Sequence, residues 1–207
     1  MSLNRREFLA LTAGSAALAT NPISCKLNES SKPILNADVC IYTGNASGIM
    51  AAVAAAQRGR SVIIVEQSRW LGGMCGGGID EIDWGRPTAV GGSSRVLLGR
   101  PGKGISDHSE ERFGNKDYRD RFKEIVKKHE VKVIYEHRLG NVHKTENRIQ
   151  SIDLDYAPPG KTGIPLAKPL KANAITINSK IFIDCSYEGD LMVMTGVSYT
   201  YGRESTE

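Results

Sequence analysis

Apolar residues along this chain fall into short runs separated by glycine-rich and polar turns. The run Val39–Thr43 reads VCIYT. It is nearly continuous, as expected of a strand buried on both faces of a parallel sheet. From Ser47 to Arg58 the pattern changes to a helical period. Ile49, Met50, Val53, Ala54 and Gln57 place mostly small apolar groups on one face, and Gly59 ends the helix. Ser61–Val65 is a second apolar run. A right-handed crossover makes the two strands parallel neighbours.

Beyond that unit, Gly72–Gly104 is glycine-rich and irregular, with a short helix expected at Ser94–Leu98. Lys116–His129 is expected to be a helix, because Tyr118, Phe122, Ile125 and Val126 fall at i, i+4, i+7 and i+8. Val131–Tyr135 reads as a third strand. Val142–Lys144 and Ile149–Asp155 read as a hairpin around Thr145-Glu146-Asn147. Pro158-Pro159-Gly160 is a loop. Ile175–Asn178 and Lys180–Asp184 are further strands, Glu188–Thr195 starts a helix, and Val197–Tyr201 is extended. The fold class is α/β: a Rossmann-like βαβ domain with an added antiparallel hairpin or meander.

Composition changes this picture little. The 207 residues are 40% hydrophobic and 24% charged, ordinary for a globular domain with a real core. The net charge of +4 is spread along the chain. No basic stripe is interleaved with aromatics, which argues against a nucleic-acid partner. The four cysteines are Cys25, Cys40, Cys75 and Cys185. No pair has CxxC spacing and none neighbours a histidine at ligand spacing, so no metal site is expected.

The first residues change it more. Asn4–Ala19 reads NRREFLALTAGSAALA, with two arginines ahead of a mildly apolar run. That run is too short to span a bilayer, which takes about 20 residues. Arg5-Arg6-Glu7-Phe8-Leu9 resembles a bacterial twin-arginine export signal, an address read by the export machinery. Residues 1–25 are therefore expected to be a signal peptide, 26–36 a linker and 37–207 the folded domain. Ala17-Leu18-Ala19 fits a cleavage site, and Ile23-Ser24-Cys25 alternatively resembles a lipoprotein box with a lipid anchor at Cys25. The expected location is the periplasm, either soluble or lipid-anchored. Twin-arginine export moves folded proteins, which suits a cofactor loaded beforehand.

The first βαβ unit also carries the chemistry. Thr43-Gly44-Asn45-Ala46-Ser47-Gly48 occupies the place of the dinucleotide turn G-x-G-x-x-G. Such a turn brings a diphosphate to a helix amino terminus, where backbone amides and the helix dipole favour an anion. Gly48 matches the last glycine. Thr43 and Asn45 stand where the first two belong. Asparagine tolerates positive φ better than most residues, and its amide is a candidate phosphate donor. Glu66, eighteen positions after Gly48, ends the second strand, where an acid accepts ribose hydroxyls. Asn45-Ala46-Ser47 is a glycosylation sequon by pattern only. The serine between Gly44 and Gly48 is not a G-x-S-x-G elbow.

Trp70-Leu71-Gly72-Gly73-Met74 resembles the second glycine pair of FAD-dependent oxidoreductases of the glutathione-reductase-like superfamily. GGMCGGGIDEIDWG, AVGGSSR and the late IDCSYEGDLMVMTGVSYTYGRE are similar to segments of one bacterial FAD-dependent oxidoreductase family. The resemblance runs from Asp38 to the end. It implies FAD, with Thr43–Gly48 cradling the diphosphate and Glu66 on the adenosine ribose. Gly72, Gly73 and Met74 would lie on the flavin side. Val142 would meet the adenine through its backbone, and Ser186 would sit near the cofactor beside Cys185. Glu188 and Asp190 match the family's E-G-D, which implies capping of the next helix.

The same resemblance leaves the catalytic residues unknown. The superfamily's disulfide reductases use C-x4-C, but Asp80 stands where a partner of Cys75 would be. Asp83 and Trp84 are candidates to face the flavin. Family members are usually more than twice this length. The chain therefore reads as the amino-terminal portion, an incomplete domain taking a small-molecule substrate that the sequence does not identify. A truncated, non-catalytic nucleotide-binding remnant is the alternative. NAD in place of FAD is a third reading, and Gly72-Gly73-Met74 argues against it.

Overall fold

The computed structural model describes residues 32–77, 92–98, 115–161 and 163–202. The strands are β1 (Ile34–Tyr42), β2 (Val62–Val65), β3 (Lys132–Ile134), β4 (His137–Thr145), β5 (Arg148–Tyr156) and β6 (Lys171–Asp184). The helices are α1 (Ala46–Ala56), α2 (Met74–Gly77), α3 (Ser93–Leu98), α4 (Asn115–Lys128) and α5 (Asp190–Met194). The strands form one sheet in the order β3-β2-β1-β6-β5-β4. β1 runs parallel to β2 and β6, and β2 parallel to β3. The β4-β5-β6 side is antiparallel. This is the expected α/β architecture, a parallel βαβ unit with an antiparallel meander attached.

β6 joins the two halves. Its early residues pair with both β5 (Ile177↔Ile152) and β1 (Ile177↔Leu35), and its later ones with β1 alone (Ile183↔Ile41). The sequence suggests two strands there, broken at Ser179. Ser179 instead pairs with Ala37, so fourteen residues run unbroken. For the same reason β1 starts at Ile34, paired with Thr176, and takes in residues 34–36 of the expected linker. β4 likewise starts at His137 rather than Val142, because its first residues pair with Tyr156 and Asp155. The hairpin turn is Glu146-Asn147, with Glu146 at φ 54, in line with a two-residue turn that needs positive φ. Val197–Tyr201 is not a strand.

The unbroken apolar run of β1 is explained by burial on both faces. Val39 and Ile41 face a core containing Ile49 and Ala52 of α1, Leu71, and Phe122 and Val126 of α4. Cys40 and Tyr42 face the opposite core with Leu139, Ile152, Ile177 and Leu191. The α4 periodicity holds, since Tyr118, Phe122 and Val126 are all buried.

One charge is set into the meander. Asp153 on β5 is 7% exposed, and its carboxylate accepts from Lys32 Nζ (2.5 Å) and Thr176 Oγ1 (2.8 Å) and meets His143 Nε2 at 2.8 Å. Burial alone would raise its pKa, but the bonds from Lys32, His143 and Thr176 outweigh it and hold the carboxyl down at about 2, from 3.8. A depressed acid stabilises the fold above its unfolded pKa, and that stability is lost as pH falls through the folded value. About 2 kcal/mol should therefore vanish between roughly pH 4 and pH 2. Urea titrations across that range should show a steep acid limb that Asp153→Asn flattens. An unchanged limb in the variant would show that other carboxylates govern acid unfolding.

Candidate functional site

β1 ends at Tyr42, and the next residue makes the turn. Thr43 has φ 81, a conformation that β-branched residues rarely adopt. Its amide donates to Val65 O at 2.8 Å, tying the turn to β2. The Gly44 amide donates to Glu66 Oε2 at 2.8 Å, while its carbonyl accepts from Gly72 N at 2.7 Å. A Cβ on Gly44 would stand 2.5 Å from a Leu71 methyl. The turn is thus pressed against the end of β2 and the Gly72 loop at once.

Asn45 is the N-cap of α1, with φ −73. Its Oδ1 accepts from the Gly48 amide (2.9 Å) and from Ser47 Oγ (2.8 Å), and its Nδ2 donates to Cys185 O at 2.5 Å. The positive φ that asparagine would tolerate falls on Thr43, not Asn45. The Asn45 amide links α1 to Cys185, just past the end of β6. At Gly48 a Cβ would lie 2.1 Å from Thr43 O, so only glycine lets the helix start this close to the turn.

Glu66 follows β2 and is 4% exposed. Oε2 takes the Gly44 amide and Oε1 takes the Ser68 amide at 2.8 Å. Burial raises its pKa more than the bonds from Ser68 and Gly44 lower it. A carboxylate offers about four lone-pair sites. The two amides occupy two of them, leaving acceptor capacity for hydroxyl donors.

The second glycine pair is equally tight. Gly72 has φ 103 and a Cβ there would strike the Phe122 ring at 2.1 Å. Gly73 has φ 55 and a Cβ there would meet Tyr187 Oη at 2.3 Å. The Met74 amide donates to the same hydroxyl at 3.0 Å. The loop after β6 therefore reaches back over the glycine pair.

That loop caps α5 differently from the expectation. Asp184 Oδ2 accepts from Met192 N (2.8 Å) and Ser186 Oγ accepts from Asp190 N (2.9 Å). Asp184 Oδ1 holds Ser186 in place through its amide (2.9 Å) and hydroxyl (2.6 Å). The capping assigned to Glu188 and Asp190 thus belongs to Asp184 and Ser186. Asp190 sits in the first helical turn, where its charge suits the dipole.

These segments line an open cavity of about 390 Å³, within the range of small-molecule sites. Thr43, Glu66, Gly73, Met74 and Ser186 line it, all of them expected site residues. Gly44, Asn45, Ala46, Ser47, Gly48 and Gly72 build the turn and helix start behind it. Val142 does not line the cavity. It lies within β4, where its amide is satisfied by Asn141 Oδ1 at 2.9 Å. Sequence reasoning passed over Gln67, Ser68, Pro165 and Tyr187 and quoted Trp70 without assigning it to the site, and all five also line it. Tyr187 had a signal, its place inside the YEGD segment. Pro165 had none, because only tertiary folding brings it near.

The lining has a definite chemistry. Among the described residues it carries three carboxylates, Glu66, Glu188 and Asp190, and neither lysine nor arginine. Carboxylates suit hydroxyl or amino donors, so an anionic group is left to the α1 end, where the dipole favours it. Among the described residues no cluster of three His, Cys, Asp or Glu forms a metal site. Burial pushes the pKa of both Cys75 and Cys185 upward, which disfavours the thiolate needed of a nucleophile. Asp83 and Trp84 lie outside the described residues.

Residues 38–207 match the model of a family described as FAD dependent oxidoreductase. No curated protein matches the chain in sequence. Among solved structures it is similar to Thermovibrio ammonificans THI4, with a TM-score of 0.52 and 16% identity over 77% of this chain. It is also similar to a geranylgeranyl bacteriochlorophyll reductase-like protein from Thermoplasma acidophilum, with a TM-score of 0.50 and 13% identity over 79% of this chain. At those identities the likeness concerns the fold alone. The chain spans 61% and 43% of the lengths of these two proteins.

Proposed function

The chain belongs to the FAD-dependent oxidoreductase family, and from that premise we propose that it is the FAD-holding part of an exported oxidoreductase acting on an organic substrate. The observation that carries this reading is the meeting of the Thr43–Gly48 turn, Glu66 and the Gly72–Gly73 pair around one cavity. The residues present fit a dinucleotide. An anion can approach the α1 terminus with little side chain in its way, and Glu66 keeps free lone pairs for ribose hydroxyls. Thr43 Oγ1 is buried with no partner, as a group awaiting a ligand would be. In this reading Glu66 orients the adenosine end, while Gly73 and Met74 line the path toward the flavin. When bound, FAD supplies the two-electron acceptor.

A remnant that grips nucleotide weakly is the second reading. What favours it is Thr43 held at φ 81 where a glycine would be unstrained. One experiment separates the two. The protein is expressed in a bacterium, the cells are fractionated, and the purified chain is denatured and its released chromophore identified. The expected result is periplasmic protein carrying FAD. Colourless protein that takes up no FAD on refolding would sink the FAD reading, and uptake of NAD instead would replace it. Changing Arg5 and Arg6 to lysine should strand the protein in the cytoplasm. Continued export of that variant would remove the twin-arginine part.

A further inference from the structure

Thr43 carries two unfavourable features at one position. Its backbone is at φ 81 although its side chain is β-branched. Its hydroxyl is buried without a hydrogen-bond partner, and among the described residues it is the side-chain polar atom left so. The residue is 9% exposed and lines the cavity immediately before the amino terminus of the eleven-residue α1. Strain of this kind persists where a function over-determines it.

Several neighbouring donors are already committed. The Thr43 amide serves Val65 O, the Gly44 amide serves Glu66, the Gly48 amide serves Asn45 Oδ1, and Asn45 Nδ2 serves Cys185 O. Among the described residues the lining supplies no lysine or arginine. A ligand bearing an anion therefore meets a site short of charged donors, beside a hydroxyl that lacks an acceptor.

We propose that Thr43 Oγ1 donates a hydrogen bond to the diphosphate of the bound dinucleotide, making this residue an affinity determinant in place of the usual glycine. The proposal rests on the FAD reading above. A threonine hydroxyl needs one acceptor, and a diphosphate oxygen at the α1 terminus provides it. The same hydroxyl explains how the turn tolerates a non-glycine: the ligand satisfies a group that the protein leaves open.

The test is FAD titration of the apo protein by flavin fluorescence, repeated with ADP and with adenosine as flavin-free probes. Thr43→Val keeps the branched shape and deletes the donor. It should weaken FAD and ADP about tenfold or more, and adenosine little. Thr43→Ser keeps the donor and should stay within about twofold of wild type. Melting without ligand should show Thr43→Val no less stable than wild type, since the unpartnered hydroxyl is gone. Should Val misfold, Thr43→Ala carries the same expectation for FAD and ADP. Wild-type affinity for both in the Val or Ala variant would overturn the proposal while leaving the FAD reading intact. A wild-type chain that binds neither FAD nor ADP would overturn the FAD reading, and this proposal with it.

Discussion

Gly48→Ala should cost about 3 kcal/mol of stability and abolish FAD retention. The added methyl would lie 2.1 Å from Thr43 O and 3.3 Å from an Ile41 methyl. The first contact is with backbone, so no rotamer change relieves it. Either α1 shifts away from the turn, or the turn shifts away from β2. Each route breaks something measurable. Moving α1 breaks the Gly48 N–Asn45 Oδ1 cap, and with it the Asn45 link to Cys185 O. Moving the turn breaks the Thr43 N–Val65 O bond and the Gly44 N–Glu66 bond. In the proposed cofactor site both routes also misplace the helix terminus that receives the diphosphate. Gly59→Ala is the control: its φ is 70, but nothing lies within 4 Å of the added Cβ. It should lose only the left-handed backbone penalty, about 1–2 kcal/mol, and keep FAD. Urea midpoints and FAD retention on gel filtration read both variants. Gly48 itself is helical and carries no left-handed strain, so a Gly48→Ala variant as stable as wild type would mean that the contact with Thr43 O is relieved at no cost.

The parallel half of the fold was legible because its information is local. Val39–Thr43 and Ser61–Val65 are continuous apolar runs, and the small-residue face of α1 lies between them. The β6 strand was not. Its early residues pair with β5 and β1 at once and its later ones with β1 alone, and continuity through Ser179 comes from Ala37 across the sheet, a contact of long sequence separation. The turn was legible in position and misread in detail. Asparagine at position 45 would tolerate positive φ, yet the geometry of leaving β1 places that demand on Thr43. Asparagine's other property, capping, won at position 45. Capping of α5 was misassigned for a related reason. The acids nearest the helix attract attention, but a carboxylate needs to sit before the first turn to reach its amides, and Asp184 and Ser186 do. Val142 was assigned through the family resemblance. Strand β4 begins five residues earlier than expected, which places Val142 in mid-strand, and among the described residues it is not one that lines the cavity.

Glu66→Gln should lower FAD affinity roughly hundredfold at neutral pH, about 3 kcal/mol, with a smaller loss of apo stability. The substitution is nearly isosteric, so the close approach to Gly44 is kept. What changes is acceptor capacity. Glu66 takes the Gly44 amide on one oxygen and the Ser68 amide on the other. Glutamine offers one oxygen and one NH2, so one of those amides loses its acceptor at a cost of about 1–3 kcal/mol. The NH2 also presents donors where the proposed ribose hydroxyls need an acceptor. The pH dependence carries a sign that packing cannot imitate. Burial raises the Glu66 pKa from its ordinary 4.5 in the folded chain. A raised acid favours folding below its unfolded pKa, and that contribution is lost as pH rises through the folded value. The stability deficit of the glutamine variant should therefore narrow with rising pH above about 4.5. Hydroxyl donors stabilise the charged carboxylate, so FAD uptake should expel a proton, and wild-type affinity should improve as pH rises across the same window. Glutamine cannot titrate, and its FAD affinity should be flat there. Fluorescence titrations at several pH values, with calorimetry in two buffers of different ionisation heat, measure the affinity and the proton together. Wild-type-like affinity with the same pH profile in the glutamine variant would remove Glu66 from the proposed ribose site and leave it a clamp for the Gly44 and Ser68 amides.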